Sequence, residues 1–102
     1  FEKKNYMQAS KEFTEALKLL PEQYEIYNYR GLAKKELKDY SGAMEDYQEA
    51  LNLRPDYAEV FVNRGLLKHI TKNSRGACED WKRAASLNNQ EGQRLFHTHC
   101  GN

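Results

Sequence analysis

Apolar and aromatic residues recur along the chain at the steps of one face of an α-helix. In residues 40–53, Ala43, Tyr47 and Ala50 stand at positions i, i+4 and i+7, a spacing that places their side chains on one side of a helix. Residues 24–37 also carry apolar or aromatic residues at helical steps and contain no proline. The pattern therefore predicts two helices, at 24–37 and 40–53, in an all-α protein.

The same residue types return at an interval of 34 residues. The threefold sets are Ala9, Ala43 and Ala77; Phe13, Tyr47 and Trp81; Ala16, Ala50 and Ala84; Leu19, Leu53 and Leu87; and Asn5, Asp39 and Asn73. Further matches join only the last two units: Tyr27 and Phe61, Arg30 and Arg64, Gly31 and Gly65, and Lys34 and Lys68. A fixed period of this length is the signature of an array in which similar helical units stack side by side.

Polar and cyclic residues mark where the helices begin and the units end. Asp39 can accept hydrogen bonds from the free N–H groups of the helix that follows it, and Asn5 and Asn73 are predicted to do the same. Pro21 and Pro55 close their units, because proline cannot continue a helix. Small residues at the recurring alanines and glycines are expected to let two helices approach closely.

These positions resemble the tetratricopeptide repeat. The residues that carry the motif read YNYRGLAK at 27–34, DYSGAMEDY at 39–47 and ALNLRP at 50–55. The resemblance implies a right-handed superhelical array of antiparallel helix hairpins within a single domain, 1–102. Its predicted parts are a partial repeat at 1–23, repeats at 24–57 and 58–91, and a capping helix with a short tail at 92–102.

Two positions depart from the family pattern. Arg30 and Arg64 stand where the family most often has leucine, and Asp46 and Asp80 lie roughly opposite them across each hairpin. We predict an Arg–Asp ion pair in each repeat, worth about 1 kcal/mol or less if it is partly exposed.

The resemblance also implies a function, since the first helices of such hairpins line a concave groove that holds a peptide. The chain is accordingly expected to be an adapter or scaffold that binds a protein or peptide partner, with no catalysis and no cofactor. The expected peptide-binding positions are Glu25, Asn28, Tyr29, Leu32, Lys35, Glu59, Val62, Asn63, Leu66 and His69. Glu25 and Glu59 would repel an acidic peptide terminus, so a clamp for the carboxylate end of heat-shock chaperones is not expected.

Other functions remain open at this stage. Because Phe1 falls near the end of a first helix, the chain could be the structural end of a longer array, or could form a homodimer through its open N-terminal end. The tail with His97, His99 and Cys100, together with Cys78, offers ligand types that zinc accepts, but the usual paired spacings are absent. No metal is therefore assigned.

Cys78 and Cys100 could instead form a disulfide that fixes the terminal helix, or remain thiols. Residues 76–84 resemble the final repeat of some bacterial multi-repeat proteins, several of them associated with the cell envelope. The compartment stays open between the cytoplasm and a bacterial envelope or periplasm.

Composition argues against two further classes. Charged residues make up 30% of the chain but sum to a net charge of +1, whereas a nucleic-acid-binding protein needs a basic face. No apolar run approaches the roughly 20 residues that cross a bilayer, so no membrane insertion is expected.

Overall fold

The computed structural model describes residues 3–101, and these form six α-helices with no β-strand among them. The helices are α1 (Lys3–Leu19), α2 (Tyr24–Glu36), α3 (Tyr40–Leu53), α4 (Ala58–Ile70), α5 (Ser74–Ser86) and α6 (Gln90–Cys100). The all-α prediction is confirmed. Phe1, Glu2 and Asn102 lie outside the described residues, and with them the prediction that Phe1 falls near the end of a first helix. No described helix is both long enough and apolar enough to cross a membrane.

The helices group into two compact units, Phe1–Pro55 and Asp56–Asn102. In the first unit, α2 packs against both α1 and α3. In the second unit, α5 packs against both α4 and α6, and α4 also contacts α6. Each unit therefore contains one complete hairpin, α2–α3 or α4–α5, and one additional helix.

Three tight turns share one backbone conformation. The turns are those between α2 and α3, α4 and α5, and α5 and α6, and each contains one residue in the left-handed region. These residues are Lys38, Lys72 and Asn88, with φ of 65°, 69° and 66°. After each of them, the next N–H bonds back to a carbonyl of the preceding helix, at 2.8–3.1 Å, which is the Schellman arrangement that satisfies the last carbonyls of a helix. The terminal helix α6 thus joins α5 by the same turn that closes the hairpins.

A capping side chain opens the helix after each of these turns. The carboxyl or amide oxygens of Asp39, Asn73 and Asn89 accept the backbone N–H of Gly42, Gly76 and Gly92 at 3.0, 2.9 and 2.8 Å. The predictions for Asp39 and Asn73 are confirmed. Asn89, which aligns by the repeat with Pro21 and Pro55, proves to be the N-cap of α6.

The predicted N-cap at Asn5 is wrong, because α1 already includes Lys3 and Asn5 lies inside that helix. Each of these three capping residues is followed three positions later by glycine, and a Cβ on Gly42 or Gly76 would press on the capping side chain. Gln8 stands at the equivalent position after Asn5. The local sequence around Asn5 therefore lacks the small residue that accompanies the other caps.

Each hairpin is closed by an aromatic ring lying on a glycine. A Cβ on Gly31 would lie 2.6 Å from Cε1 of Tyr47, and one on Gly65 would overlap the indole nitrogen of Trp81. Both rings are fully buried. The prediction that small residues allow close helix approach is confirmed, and any larger side chain at either glycine would force the hairpin apart.

The two rings differ in how their polar atoms are satisfied. Trp81 donates its indole N–H to the carbonyl of Val62 at 3.3 Å. Among residues 3–101, the hydroxyl of Tyr47 is a buried polar atom without a hydrogen-bond partner. Burial, with a smaller contribution from the carboxylate of Asp46, raises the pKa of Tyr47.

The Arg–Asp ion pairs are present in both hairpins, as predicted. Arg30 donates two hydrogen bonds to the carboxylate of Asp46, at 2.9 and 2.7 Å, and Lys34 adds a third contact at 3.3 Å. The bond to Asp46 raises the pKa of Arg30, and burial partly opposes that shift.

The second hairpin repeats this arrangement. Arg64 bonds to Asp80 at 2.9 and 2.8 Å, and Lys68 contacts it at 3.1 Å. The side chain of Asp80 is only 5% exposed, so the small stabilisation that we predicted for a partly exposed ion pair does not apply here. Removing one partner of a buried pair leaves an uncompensated charge.

The terminal helix α6 covers one side of α5. Leu95 of α6 is buried in a core cluster with Trp81 and Ala84 of α5, and a Cβ on Gly92 would lie 2.5 Å from that of Ala84. The sulfur atoms of Cys78 and Cys100 lie 2.07 Å apart, at bonding distance, with their Cα atoms 5.8 Å apart. Helix α6 (Gln90–Cys100) thus packs on the apolar side of α5.

Candidate binding surfaces

The predicted peptide-binding positions differ in how far they reach the surface. Tyr29, Glu59 and His69 are exposed, and five others are partly exposed: Glu25, Leu32, Lys35, Asn63 and Leu66. Asn28 and Val62 are buried, at 1% and 6% exposure. Val62 belongs to the core cluster of the second unit, so both residues present little surface to a ligand in this conformation.

An apolar cavity of about 260 Å³ opens between α1 and α2 in the first unit. It is lined by Asn5, Tyr6, Ala9, Phe13, Tyr29, Leu32 and Ala33. Phe13 and Tyr29 stack across it with ring centroids 6.0 Å apart. Tyr29 and Leu32 were predicted as binding residues, whereas the contribution of α1 was not.

Two residues of α1 are less buried than their equivalents in α3. Ala43 and Tyr47 of α3 are fully buried, but Ala9 and Phe13, their equivalents 34 residues earlier, are only partly buried. Among residues 3–101, α1 packs against α2 alone.

A second depression, of about 220 Å³, lies in the second unit. Glu59, Val62 and Asn63 of α4 line it together with Asn89 and Glu91 at the start of α6. Three of the predicted positions are thus brought together with two that the sequence analysis did not identify. The sequence analysis missed Asn89 and Glu91 because it did not predict where α6 lies, which depends on the turn after α5.

Carboxylate and amide side chains determine which ligands this depression can bind. Glu91 accepts two hydrogen bonds from Arg94, and those bonds lower the pKa of Glu91. Glu59 is exposed. Amide side chains such as those of Asn63 and Asn89 can both donate to and accept from a peptide backbone. The depression therefore suits a peptide with neutral or basic side chains.

The histidine tail is placed against the last hairpin. The ring of His99 lies 5.0 Å from that of His69 and 5.3 Å from that of Trp81, measured between centroids. Both candidate thiols are engaged with each other. Within residues 3–101, no group of three or more histidine, cysteine or acidic side chains is arranged to hold a metal ion.

Comparison with known proteins places this arrangement among known folds. The sequence model for the TPR repeat matches residues 33–69. The first TPR domain of Spaghetti (RPAP3), bound to the HSP90 peptide SRMEEVD, superposes with a TM-score of 0.86 at 22% identity, over 94% of this chain and 78% of that one.

Two other solved structures are similar. The TPR2B domain of yeast Sti1, in a complex with pHsp70, superposes with a TM-score of 0.84 at 24% identity, over 96% of this chain and 85% of that one. MamA gives a TM-score of 0.78 at 19% identity, over 93% of this chain and 58% of its own. No curated protein sequence matches the chain. At these identities the likeness is one of fold.

Proposed function

We propose that this chain, whose residues 33–69 match the sequence model for the TPR repeat, is a protein-interaction module that binds a peptide segment of a partner protein and catalyses no reaction. The observation that carries the proposal is the depression of the second unit, where Glu59 and Asn63 meet Asn89 and Glu91. Such a surface offers hydrogen bonds to a peptide backbone and negative charge to its side chains.

The solved relatives support a peptide as the ligand class. The Spaghetti (RPAP3) domain is bound to an acidic HSP90 peptide, and the Sti1 domain is in a complex with pHsp70. The carboxylate of Glu59 would repel an acidic peptide, whereas that of Glu91 is paired with Arg94. We therefore propose that this chain selects a neutral or basic segment.

Within each unit, the partly and fully exposed positions of α2 or α4 would make contacts to a peptide. Tyr29 offers a large apolar surface at low entropic cost, and Asn63 offers paired hydrogen bonds. Asn28 and Val62, which are buried, would each support the surface of their own helix from beneath it.

Fluorescence anisotropy with two labelled heptapeptides tests the proposal. One is SRMEEVD, and the other is its charge-reversed counterpart SRMKKVK with an amidated C terminus. We expect the basic peptide to bind more tightly, and Glu59→Ala to weaken its binding about fivefold, in the range for a rim charge pair. Glu79→Ala is the matched control, because Glu79 is an exposed carboxylate on α5 outside the depression.

Two results would count against the proposal. Tighter binding of SRMEEVD would contradict the inferred charge preference. Failure of the basic peptide to bind, or equal loss on substituting Glu59 and Glu79, would remove the depression as the peptide site.

A further inference from the structure

Two histidines from different helices meet at the surface of the second unit. His69 lies in the last turn of α4, and His99 lies in the last turn of α6. The centroids of their imidazole rings are 5.0 Å apart, and both side chains are exposed. The fold thus brings two nitrogen donors to one place that a small ion can reach from solvent.

Both rings rest on a buried part of the hairpin. Trp81 is fully buried, and its ring centroid lies 5.8 Å from that of His69 and 5.3 Å from that of His99. The residue after His99 is joined to Cys78 of α5, which fixes the end of α6 against the hairpin. The two imidazoles are therefore brought together before any ligand arrives, and such preorganisation lowers the entropic cost of binding.

The separation of the two rings suits adjacent ligands of one metal ion. With metal–nitrogen bonds of about 2.0–2.1 Å and an angle at the metal between square-planar and tetrahedral, the centroids of two bound imidazoles lie about 4.5–5.2 Å apart. The observed 5.0 Å falls within this range. Because no group of three or more such side chains is arranged to hold a metal within residues 3–101, water would fill the other coordination positions.

We propose that His69 and His99 form a surface site for a divalent transition-metal ion. Imidazole suits copper, nickel and zinc, and Cu²⁺ binds most tightly of these. The partial negative charge at the carboxyl ends of α4 and α6 favours a cation there. Lys68, the neighbouring cation on α4, is already paired with Asp80. A bound ion would link the end of α6 directly to α4, whereas Mg²⁺ and Ca²⁺, which prefer oxygen ligands, would not bind.

This inference does not rest on the proposed peptide function. His69 is among the positions proposed for peptide contact, but His99 is not, and metal binding is measured without any peptide. The two proposals can therefore fail separately.

The probe is CuCl₂, added to the whole chain in a buffer that does not chelate metal ions. Cu²⁺ quenches the fluorescence of a nearby indole, and Trp81 is the only tryptophan in the chain. We expect saturable quenching with Cu²⁺, none with Mg²⁺, and NMR line broadening by Cu²⁺ centred on His69 and His99. Zn²⁺ should raise the urea midpoint of the second unit, because a ligand that binds the folded state stabilises it.

Substitution of each histidine by phenylalanine keeps a ring against Trp81 and removes the nitrogen donors. Loss of a residue that only orients a metal ligand costs about 10–100-fold in metal affinity, so His69→Phe and His99→Phe should each weaken Cu²⁺ binding at least about tenfold. His97→Phe is the matched control, because His97 is an exposed histidine on the same helix. It should bind Cu²⁺ as the parent protein does. The urea midpoint without metal checks that each variant is folded.

Three results would overturn the proposal. The first is Cu²⁺ quenching that is absent or shows no saturation. The second is an affinity that is unchanged in His69→Phe or in His99→Phe, or that falls equally in His97→Phe. The third is line broadening centred away from the ends of α4 and α6, which would identify an adventitious site elsewhere.

Discussion

The bond between Cys78 and Cys100 provides a direct test of what holds the last helix in place. The two residues are 22 positions apart and join α5 to the end of α6. Reducing the bond with dithiothreitol, or replacing both residues by serine, leaves α6 attached through the turn at Asn88 and through its packing alone. We predict that either change lowers the free energy of unfolding of the second unit while leaving the helices of the first unit intact.

The expected loss follows from the loop that the bond closes. For a separation of 22 residues, chain entropy gives about 11 cal/mol/K, or about 3 kcal/mol at 25 °C. Burial of Leu95, the main apolar anchor of α6, contributes on the order of 2 kcal/mol. The bond and the leucine therefore contribute comparable amounts, and loss of the bond should leave α6 only marginally docked.

Trp81 makes the effect measurable, because it is the only tryptophan in the chain. Its ring is buried in the second unit and contacts the ring of His99 on α6. Urea titrations followed by tryptophan fluorescence should show a lower midpoint for the reduced protein. The Cys78→Ser/Cys100→Ser variant should match the reduced protein and should not respond to dithiothreitol.

Two results would refute this reasoning. Equal midpoints for the oxidised and reduced proteins would show that packing alone fixes α6. A non-reducing mass equal to that of the reduced chain would show that the purified protein carries two thiols.

Three substitutions test other parts of the fold by the same urea titration, with far-UV circular dichroism added for changes in the first unit. Asp80→Ala should lower the free energy of unfolding by about 3 kcal/mol, because it leaves two cations without their carboxylate. The control Glu79→Ala, at an exposed pair, should change the free energy of unfolding by less than about 0.5 kcal/mol. Similar losses for the two variants would contradict the argument from the buried pair. Tyr47→Phe should stabilise by about 1 kcal/mol by removing an unpartnered buried hydroxyl, and a loss of stability would indicate that the hydroxyl is satisfied. Lys72→Gly should raise the free energy of unfolding by about 1 kcal/mol, because glycine adopts the left-handed backbone conformation without strain. Asn88→Gly should give a smaller increase, since asparagine tolerates that conformation. Equal increases would argue against backbone strain as the cause.

Much of the fold was predictable because the signals are local and repeat. The recurrence at 34 residues, together with the cap at Asp39, predicted helix 40–53 with the bounds that the structure gives it. The Arg–Asp pairs were predictable because both partners recur at the same step. Lys34 and Lys68 also recur, but lysine on a helix surface is usually solvated, and their contribution was missed.

The errors arise where a residue type alone does not determine its role. Asn5 matches Asp39 and Asn73 in type, yet it lacks the glycine three positions later that accompanies them. The capping helix was predicted at 92–102, but Asn89 caps α6 and the helix begins at Gln90. Burial of Asn28 depends on tertiary packing, which the periodicity of one helix does not describe.

The contrast between recurring and non-recurring positions has a consequence for design. Both hairpins have the same ion pairs, glycine–aromatic contacts and left-handed turns. The outward positions differ: Tyr29 of α2 corresponds to Asn63 of α4, and Lys35 of α2 corresponds to His69 of α4. The residues that build the hairpins and those that lie at the surface of α2 and α4 are thus largely separate sets. New specificities should be transplantable onto α2 or α4 by rewriting the outward positions, without re-engineering the hairpins beneath them.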